Sequence, residues 1–146
     1  MSDFQKQGGQ WFPGHMAKTR RLIKESLPHV DLVTEIVDAR IPESSSNPEL
    51  ADMIGNKPRI VLLNKCDVAD EEATAKWVEH YKQNGISALP VDCRSGRGLG
   101  AYLPLVRTVL KDKIKRNTEK GMVGKPLRVM VVGIPNTGKS SFINKM

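Results

Sequence analysis

Cysteine is scarce in these 146 residues, and long apolar runs are missing altogether. The two cysteines, Cys66 and Cys93, form neither a C-x-x-C pair nor a disulfide framework, so two reduced thiols are expected. No run of 18 apolar residues exists, which excludes a transmembrane helix. The opening MSDFQKQGGQWFPGHM has no apolar stretch of the kind a secretory signal needs. A cytoplasmic protein without membrane contact is therefore expected. No internal repeat or low-complexity tract stands out. What is present is ordinary: 39% hydrophobic and 27% charged residues. That composition and length suit one compact soluble domain and are too small for two.

The formal net charge of +7 is unevenly distributed. Residues 31–102 carry eight bases against twelve acids, whereas 103–128 carry eight bases against two acids. Residues 1–30 add five bases against two acids. Basic flanks around an acidic middle suit a polyanionic partner, nucleic acid before membrane. On charge alone they suit a solvated helix face equally well.

Four short runs rich in Val, Ile and Leu read as strands: Leu32–Val37, Arg59–Leu63, Ala88–Val91 and Leu127–Val132. RIVLL and LRVMVV are almost continuously apolar, as parallel strands covered on both faces are. Helical patterns lie between them. Residues 15–27 form a basic helix ending before Pro28. Asn47 and Pro48 are start signals for a helix over 47–54. Acids open a helix over 70–83, with Gly85 past its end. Residues 99–116 place Leu99, Leu103, Val106, Leu110 and Ile114 near one face of a single helix. Segments 41–48 and 119–126 read as flexible joints. Strands alternating with helices predict an α/β fold with a mostly parallel sheet and helices on both faces.

The strongest chemical signal is Gly133-Ile-Pro135-Asn136-Thr137-Gly138-Lys139-Ser140, a full match to G-x-x-x-x-G-K-[ST]. An apolar strand precedes it, and SFINKM opens a helix. Glycines let the backbone wrap so that N–H groups face phosphate, and the helix turns its positive end to the same anion. Lys139 then reaches the β- and γ-phosphates, and the Ser140 hydroxyl binds Mg²⁺. Ser141 completes the loop.

Asn64-Lys65-Cys66-Asp67 closes the RIVLL strand. This N-K-x-D pattern is weak alone and specific beside a phosphate loop. The Asp67 carboxylate can accept from the N1–H and 2-amino group of guanine, a donor pair adenine lacks. The Lys65 stem can cover the base, and Asn64 can tie the strand end to the phosphate loop. After the third strand comes Asp92-Cys93-Arg94-Ser95-Gly96. It occupies the place where guanine-binding folds offer a backbone N–H to O6, though it departs from their Ser-Ala-Lys pattern at each residue. A Gly-rich loop before a helix is the plainer reading of that stretch. Asp38-Ala39-Arg40 also follows a strand end, so it either supports the site or forms a structural Asp–Arg pair.

In an ordinary GTPase the phosphate loop comes first and N-K-x-D near the end; here the order is reversed. Pieces that all sit at carboxyl ends of parallel strands can change chain order while keeping one site. The chain thus resembles the circularly permuted GTPases, and among them the ribosome biogenesis GTPase A, or YlqF-type, family. The residues that carry the resemblance run from about Gln10 to the end. They are Trp11-Phe12-Pro13-Gly14-His15-Met16-Ala17-Lys18, Asp38-Ala39-Arg40-Ile41-Pro42, Ser44-Ser45-Ser46-Asn47-Pro48, Asn64–Asp67 and Gly133–Ser141.

The resemblance implies a P-loop NTPase-like α/β fold with circularly permuted motifs. It also implies GTP hydrolysis in late maturation of the large ribosomal subunit. GTP and GDP, the subunit precursor and its rRNA would be the partners of a monomeric protein. The rival functions are a guanine-nucleotide sensor that does not hydrolyse, and an RNA-binding module with a vestigial phosphate loop. In that family two switch regions and a helical RNA-binding domain follow the phosphate loop. Residues 1–146 are therefore expected to be an incomplete GTP-binding domain, truncated after the loop and inactive alone. The family also offers His15 as the group that orients the attacking water; packing of the first helix is the alternative. Asn136 stands where K⁺-using GTPases carry an Asn ligand, and a plain turn residue is the alternative. Lys18, Arg20, Arg21 and Lys24, with Lys111, Lys113, Lys115 and Arg116, are candidate contacts to rRNA phosphate. Trp11 and Phe12 suit core packing better than base stacking.

Overall fold

The computed structural model describes residues 4–10, 16–46, 49–121, 126–133 and 138–145. Among them the elements run β1 (Phe4–Gln10), α1 (Met16–Ser26), β2 (Leu32–Asp38), α2 (Leu50–Ile54), β3 (Arg59–Asn64), α3 (Glu71–Gln83), β4 (Ser87–Pro90), α4 (Tyr102–Val109), α5 (Lys111–Glu119), β5 (Leu127–Gly133) and α6 (Lys139–Lys145). The strands form one sheet in the order β1-β5-β2-β3-β4, parallel throughout. The α/β class, the parallel pairing and the helices on both faces all agree with the sequence reading.

Alternating strand positions feed the two faces. Leu32, Ile36, Ile60, Leu62, Val129 and Val131 pack with Tyr102, Val106 and Leu110 and with Phe142 of α6. Val33, Met130 and Val132 pack with Ile23, Leu50 and Ile54, so α1 and α2 cover the other face. Val37, Val61 and Leu63 continue that face against Tyr81 of α3, with Trp77 and Val78 partly buried beside it. The chain steps outward from β2 through β3 to β4 with α2 and α3 on one face. It then returns to β5 by way of α4 on the opposite face. Right-handed crossovers require such a change of face when the direction across a sheet reverses.

Several expectations need correction. The sheet has five strands rather than four: β1, FQKQGGQ, carries no apolar run, yet it pairs along β5 from Phe4↔Leu127 to Gln10↔Gly133. Backbone pairing, which periodicity does not see, recruits it as an edge. The third predicted strand sits one residue earlier, at Ser87–Pro90. The single helix over 99–116 is instead a 3₁₀ turn at Leu99–Ala101, then α4, then α5. The break falls at buried Leu110, whose φ of −98° and ψ of 15° leave helical values. The apolar stripe survives the break because Leu110 anchors the corner.

The 41–48 joint is not loose where it is described. Its Ser45 is buried, accepts from Asp38 N at 2.8 Å and donates to Ile41 O at 2.8 Å. Asn47 and Pro48, the predicted helix start, lie outside the described residues, and α2 is described from Leu50. α3 begins as expected: the Asp70 side chain accepts from Glu72 N, and Gly85 past its end adopts φ +75°. The 119–126 joint is described as far as Gly121 and again from Pro126.

Candidate functional site

Parallel strands deliver their carboxyl ends to one edge of the sheet, so β2, β3, β4 and β5 all empty toward one region. The ends are stitched together. Val91 N donates to Leu63 O at 2.9 Å, and Cys66 N donates to Val91 O at 3.1 Å. Ala39 N donates to Asn64 O at 2.7 Å, which ties the end of β2 to the end of β3.

Asn64 is the keystone of this arrangement. It is buried, and its Oδ1 accepts from Cys93 N at 2.8 Å. Its amide nitrogen lies against Gly138, so closely that a Cβ at Gly138 would collide with it and stand 3.2 Å from Cγ. Gly138 also sits at φ +103°, where a side chain is strained. The glycine of the G-K-S sequence is thus required both by its backbone and by the asparagine of N-K-x-D. Two motifs separated by some seventy residues meet in space.

An open cleft of about 410 Å³ lies at this junction. Asn64, Lys65, Asp67 and Val68 line it from β3 and the 3₁₀ turn Cys66–Val68, Asp92 and Arg94 from the β4 side, and Gly138 and Ser141 from the start of α6. Asp67 is exposed there, with its carboxylate available to a ligand. Lys65 adopts φ +64°; among the described residues it alone is a non-glycine with positive φ. A hydrogen bond of the Ser95 side chain, followed by the amides of Arg94 and Ser95, holds the Asp92 carboxyl below its usual range. Arg94 N donates to Asp92 Oδ1 at 3.2 Å.

Cys93 enters the site through its backbone. Its thiol is buried in the core, and desolvation, helped by nearby Asp92, pushes it up to about 12. Its N–H is committed to Asn64, while Asp92 N donates to Arg97 O and Gly96 N to Asp92 O, both at 2.8 Å. Burial also raises the Cys66 thiol. Both cysteines are free, in line with the sequence reading.

Lys139 opens α6, and burial lowers its ammonium pKa. Ser140 and Ser141 follow on the exposed side of that helix. Phe142 anchors the helix: its ring meets Tyr102 edge-on with centroids 5.0 Å apart, and Tyr102 shares a 2.8 Å hydrogen bond with Thr34 of β2. The phosphate-loop helix is thereby packed on both α4 and the sheet. A single hydroxyl at Ser140 suits Mg²⁺, a hard ion that takes one or two protein oxygens and completes its shell from phosphates and water. His15, Pro135, Asn136 and Thr137 lie outside the described residues, as do Trp11 and Phe12.

A polar cluster near the site contains the Asp–Arg pair that the D-A-R triplet offered as one alternative. Asp38, at the end of β2, accepts from Arg40 N, Nε and Nη2 and lies 3.4 Å from Lys65 Nζ. The Arg40 side-chain hydrogen bonds, opposed by burial and helped by the charge of Lys65, lower its pKa to about 2. The D-A-R triplet marked the residue; its link to Lys65 had no signal in sequence.

No protein-family model matches the chain. It is 48% identical over 137 residues to ribosome biogenesis GTPase A of Bacillus licheniformis, covering 94% of this chain and 48% of that protein. It is 51% identical over 139 residues to the protein of the same name from Priestia megaterium, with the same coverage. The structure of GNP-bound YlqF from T. maritima matches 88% of this chain and 47% of its own, at 34% identity and TM-score 0.60. The chain belongs to the circularly permuted, YlqF-type GTPases. The chain is also 37% identical over 138 residues to mitochondrial ribosome-associated GTPase 1 of Mus musculus, covering 94% of this chain and 41% of that protein. The chain spans about half the length of the curated relatives it matches.

Proposed function

We propose that the protein containing this chain binds GTP, hydrolyses it, and uses the cycle as a switch in late assembly of the large ribosomal subunit. One observation carries the nucleotide half: Asn64 touches Gly138, so the base corner and the phosphate loop open into one cleft. The ribosomal half is supported by the names of the relatives and by the basic flanks.

In this reading Asp67 accepts from guanine N1–H and the 2-amino group. The Lys65 stem covers the ring, with O6 toward the Asp92-Cys93-Arg94 turn. Gly133–Ser141 wraps the phosphates, with Lys139 on the β- and γ-phosphates. A phosphate beside Lys139 restores the charge that burial disfavours. Ser140 would hold Mg²⁺, which supplies positive charge to the phosphates when bound. His15 orients the attacking water, and Asn136 ligates K⁺. Lys18, Arg21, Lys24, Lys111, Lys115 and Arg116, all exposed, meet rRNA phosphates. The γ-phosphate holds the RNA-gripping state and hydrolysis releases it.

The deciding experiment compares GTP and ATP affinity of the whole protein with its Asp67→Asn variant. Loss of the ionic acceptor should weaken GTP by ~1–3 kcal/mol; unchanged GTP affinity would overturn the base assignment. For the chemical step, His15→Ala should keep GTP affinity and slow single-turnover hydrolysis by about 100-fold. Equal rates in variant and parent would remove His15 from the mechanism.

A further inference from the structure

The D-A-R turn and the N-K-x-D corner are physically joined. Asp38 and Asn64 are register partners at the ends of β2 and β3. The next backbone amide, Ala39 N, donates to Asn64 O at 2.7 Å. The Asp38 carboxylate then reaches the following residue of the corner. Its Oδ1 accepts from Arg40 N at 2.9 Å and Nε at 3.0 Å, while Oδ2 accepts from Arg40 Nη2 at 2.7 Å and stands 3.4 Å from Lys65 Nζ. A carboxylate gripped by an arginine fork has little rotational freedom. It is a fixed anchor for the Lys65 ammonium. The backbone of Lys65 is equally constrained: φ is +64°, and its carbonyl accepts from Val68 N at 3.1 Å. A strained backbone and an anchored side chain on the same residue mark a position that the surrounding structure holds on purpose.

We propose that Asp38 is a positioning residue for purine binding, bracing the Asn64-Lys65 corner so that the Lys65 side chain lies along the cleft wall where the base stacks. Asp38 itself touches no nucleotide. It acts through Lys65, and the role rests on the guanine reading of this cleft. The rest of the turn serves the anchor: Ser45 Oγ accepts from Asp38 N at 2.8 Å, which fixes the backbone that carries the carboxylate. Because Lys65 would cover the ring plane rather than read its edge, the effect extends to purines with and without the 2-amino group. Asp67, by contrast, distinguishes them.

Calorimetry of GDP and IDP binding to the whole protein tests this with Asp38→Asn, Lys65→Met and the double variant. Asp38→Asn should weaken GDP and IDP alike, by about fivefold, the worth of one partly exposed ion pair. Lys65→Met, which keeps the stem and removes the ammonium, should weaken both. In that background the Asp38 change should add less than twofold. An equal loss in both backgrounds, or no loss in the parent, would overturn the proposal. Should Asp38→Asn fail to fold, Lys65→Met decides alone: undiminished GDP affinity refutes the anchor, and a parallel loss of GDP and IDP supports it. Asp67→Asn, run alongside, separates the two levels. If it binds GDP as tightly as the parent, the guanine reading itself fails whatever Asp38 does.

Discussion

Glu35 and Asp38 lie three residues apart on β2, and each pairs with an arginine, yet their surroundings differ. The Glu35–Arg59 pair is enclosed, with side-chain exposures of 2% and 13%. Ser46 Oγ donates to the same carboxylate, at 3.0 Å to Oε2. The Asp38 carboxylate is nearly as buried at 7%, but its partners Arg40 and Lys65 are 51% and 33% exposed. Glu35 spends its interactions inside the protein and ties β2 to β3 and to the loop after β2. Asp38 directs its own toward two solvent-open residues, one of which, Lys65, lines the cleft. The same chemistry on one strand is therefore sealed inside the protein at Glu35 and open toward solvent at Asp38.

The largest effect should come from breaking the enclosed pair. Glu35→Ala leaves Arg59 buried without its carboxylate and should cost ~3–5 kcal/mol in urea unfolding. Nucleotide affinity of the folded fraction should change little. A loss below ~1 kcal/mol would show that Glu35 behaves as a surface pair and would erase the contrast.

Acid sharpens the other side of the comparison. The folded-state pKa of Asp38, about 2, lies below the usual carboxylate value. A depressed acid contributes its stability fully above the unfolded value near 4, and loses it as pH falls toward 2. Unfolding free energy should therefore drop by ~1–2 kcal/mol across that window, part of the shift being screened because Arg40 is open to solvent. In Asp38→Asn the drop across that window should be smaller by that amount. An unchanged slope would mean that Asp38 is not held by its partners in solution.

The smallest effect marks the baseline. Asp31, just before β2, accepts from Arg128 N at 2.8 Å and pairs with Lys113 of α5 at the amino end of the sheet. Lys113 is 37% exposed. Lys113→Ala should cost no more than ~1 kcal/mol in the same urea assay, with no change in GDP affinity. A larger loss would place this end of the sheet in the same class as Glu35.

Much of the site was legible because its motifs are local. Gly138, Lys139 and Ser140 lie together in the chain, and so do Asn64, Lys65 and Asp67, so residue type and spacing expose them directly. The apolar runs likewise exposed β2, β3 and β5, because strands buried on both faces must be apolar, and the partly buried edge strand β4 showed through its own short run. β1 was hidden, since a polar strand is recruited by backbone pairing alone. The helix break at Leu110 was hidden too, since a buried corner keeps the apolar stripe on which periodicity relies. The bond between Asn64 and the Cys93 amide was hidden as well, since the two groups stand 29 positions apart.

Residue types and their order alone determined that this chain carries the G-x-x-x-x-G-K-S and N-K-x-D motifs, in permuted order, on an α/β sheet. Each of those is a property of short stretches, written in glycine placement, charge and apolar runs. Tertiary structure alone decided that Asn64 closes against Gly138, that Glu35 is sealed with Arg59, and that Asp38 reaches Lys65. These are contacts between residues far apart in the chain. Their distances are set by strand register and by the stitching of strand ends, which no local pattern encodes.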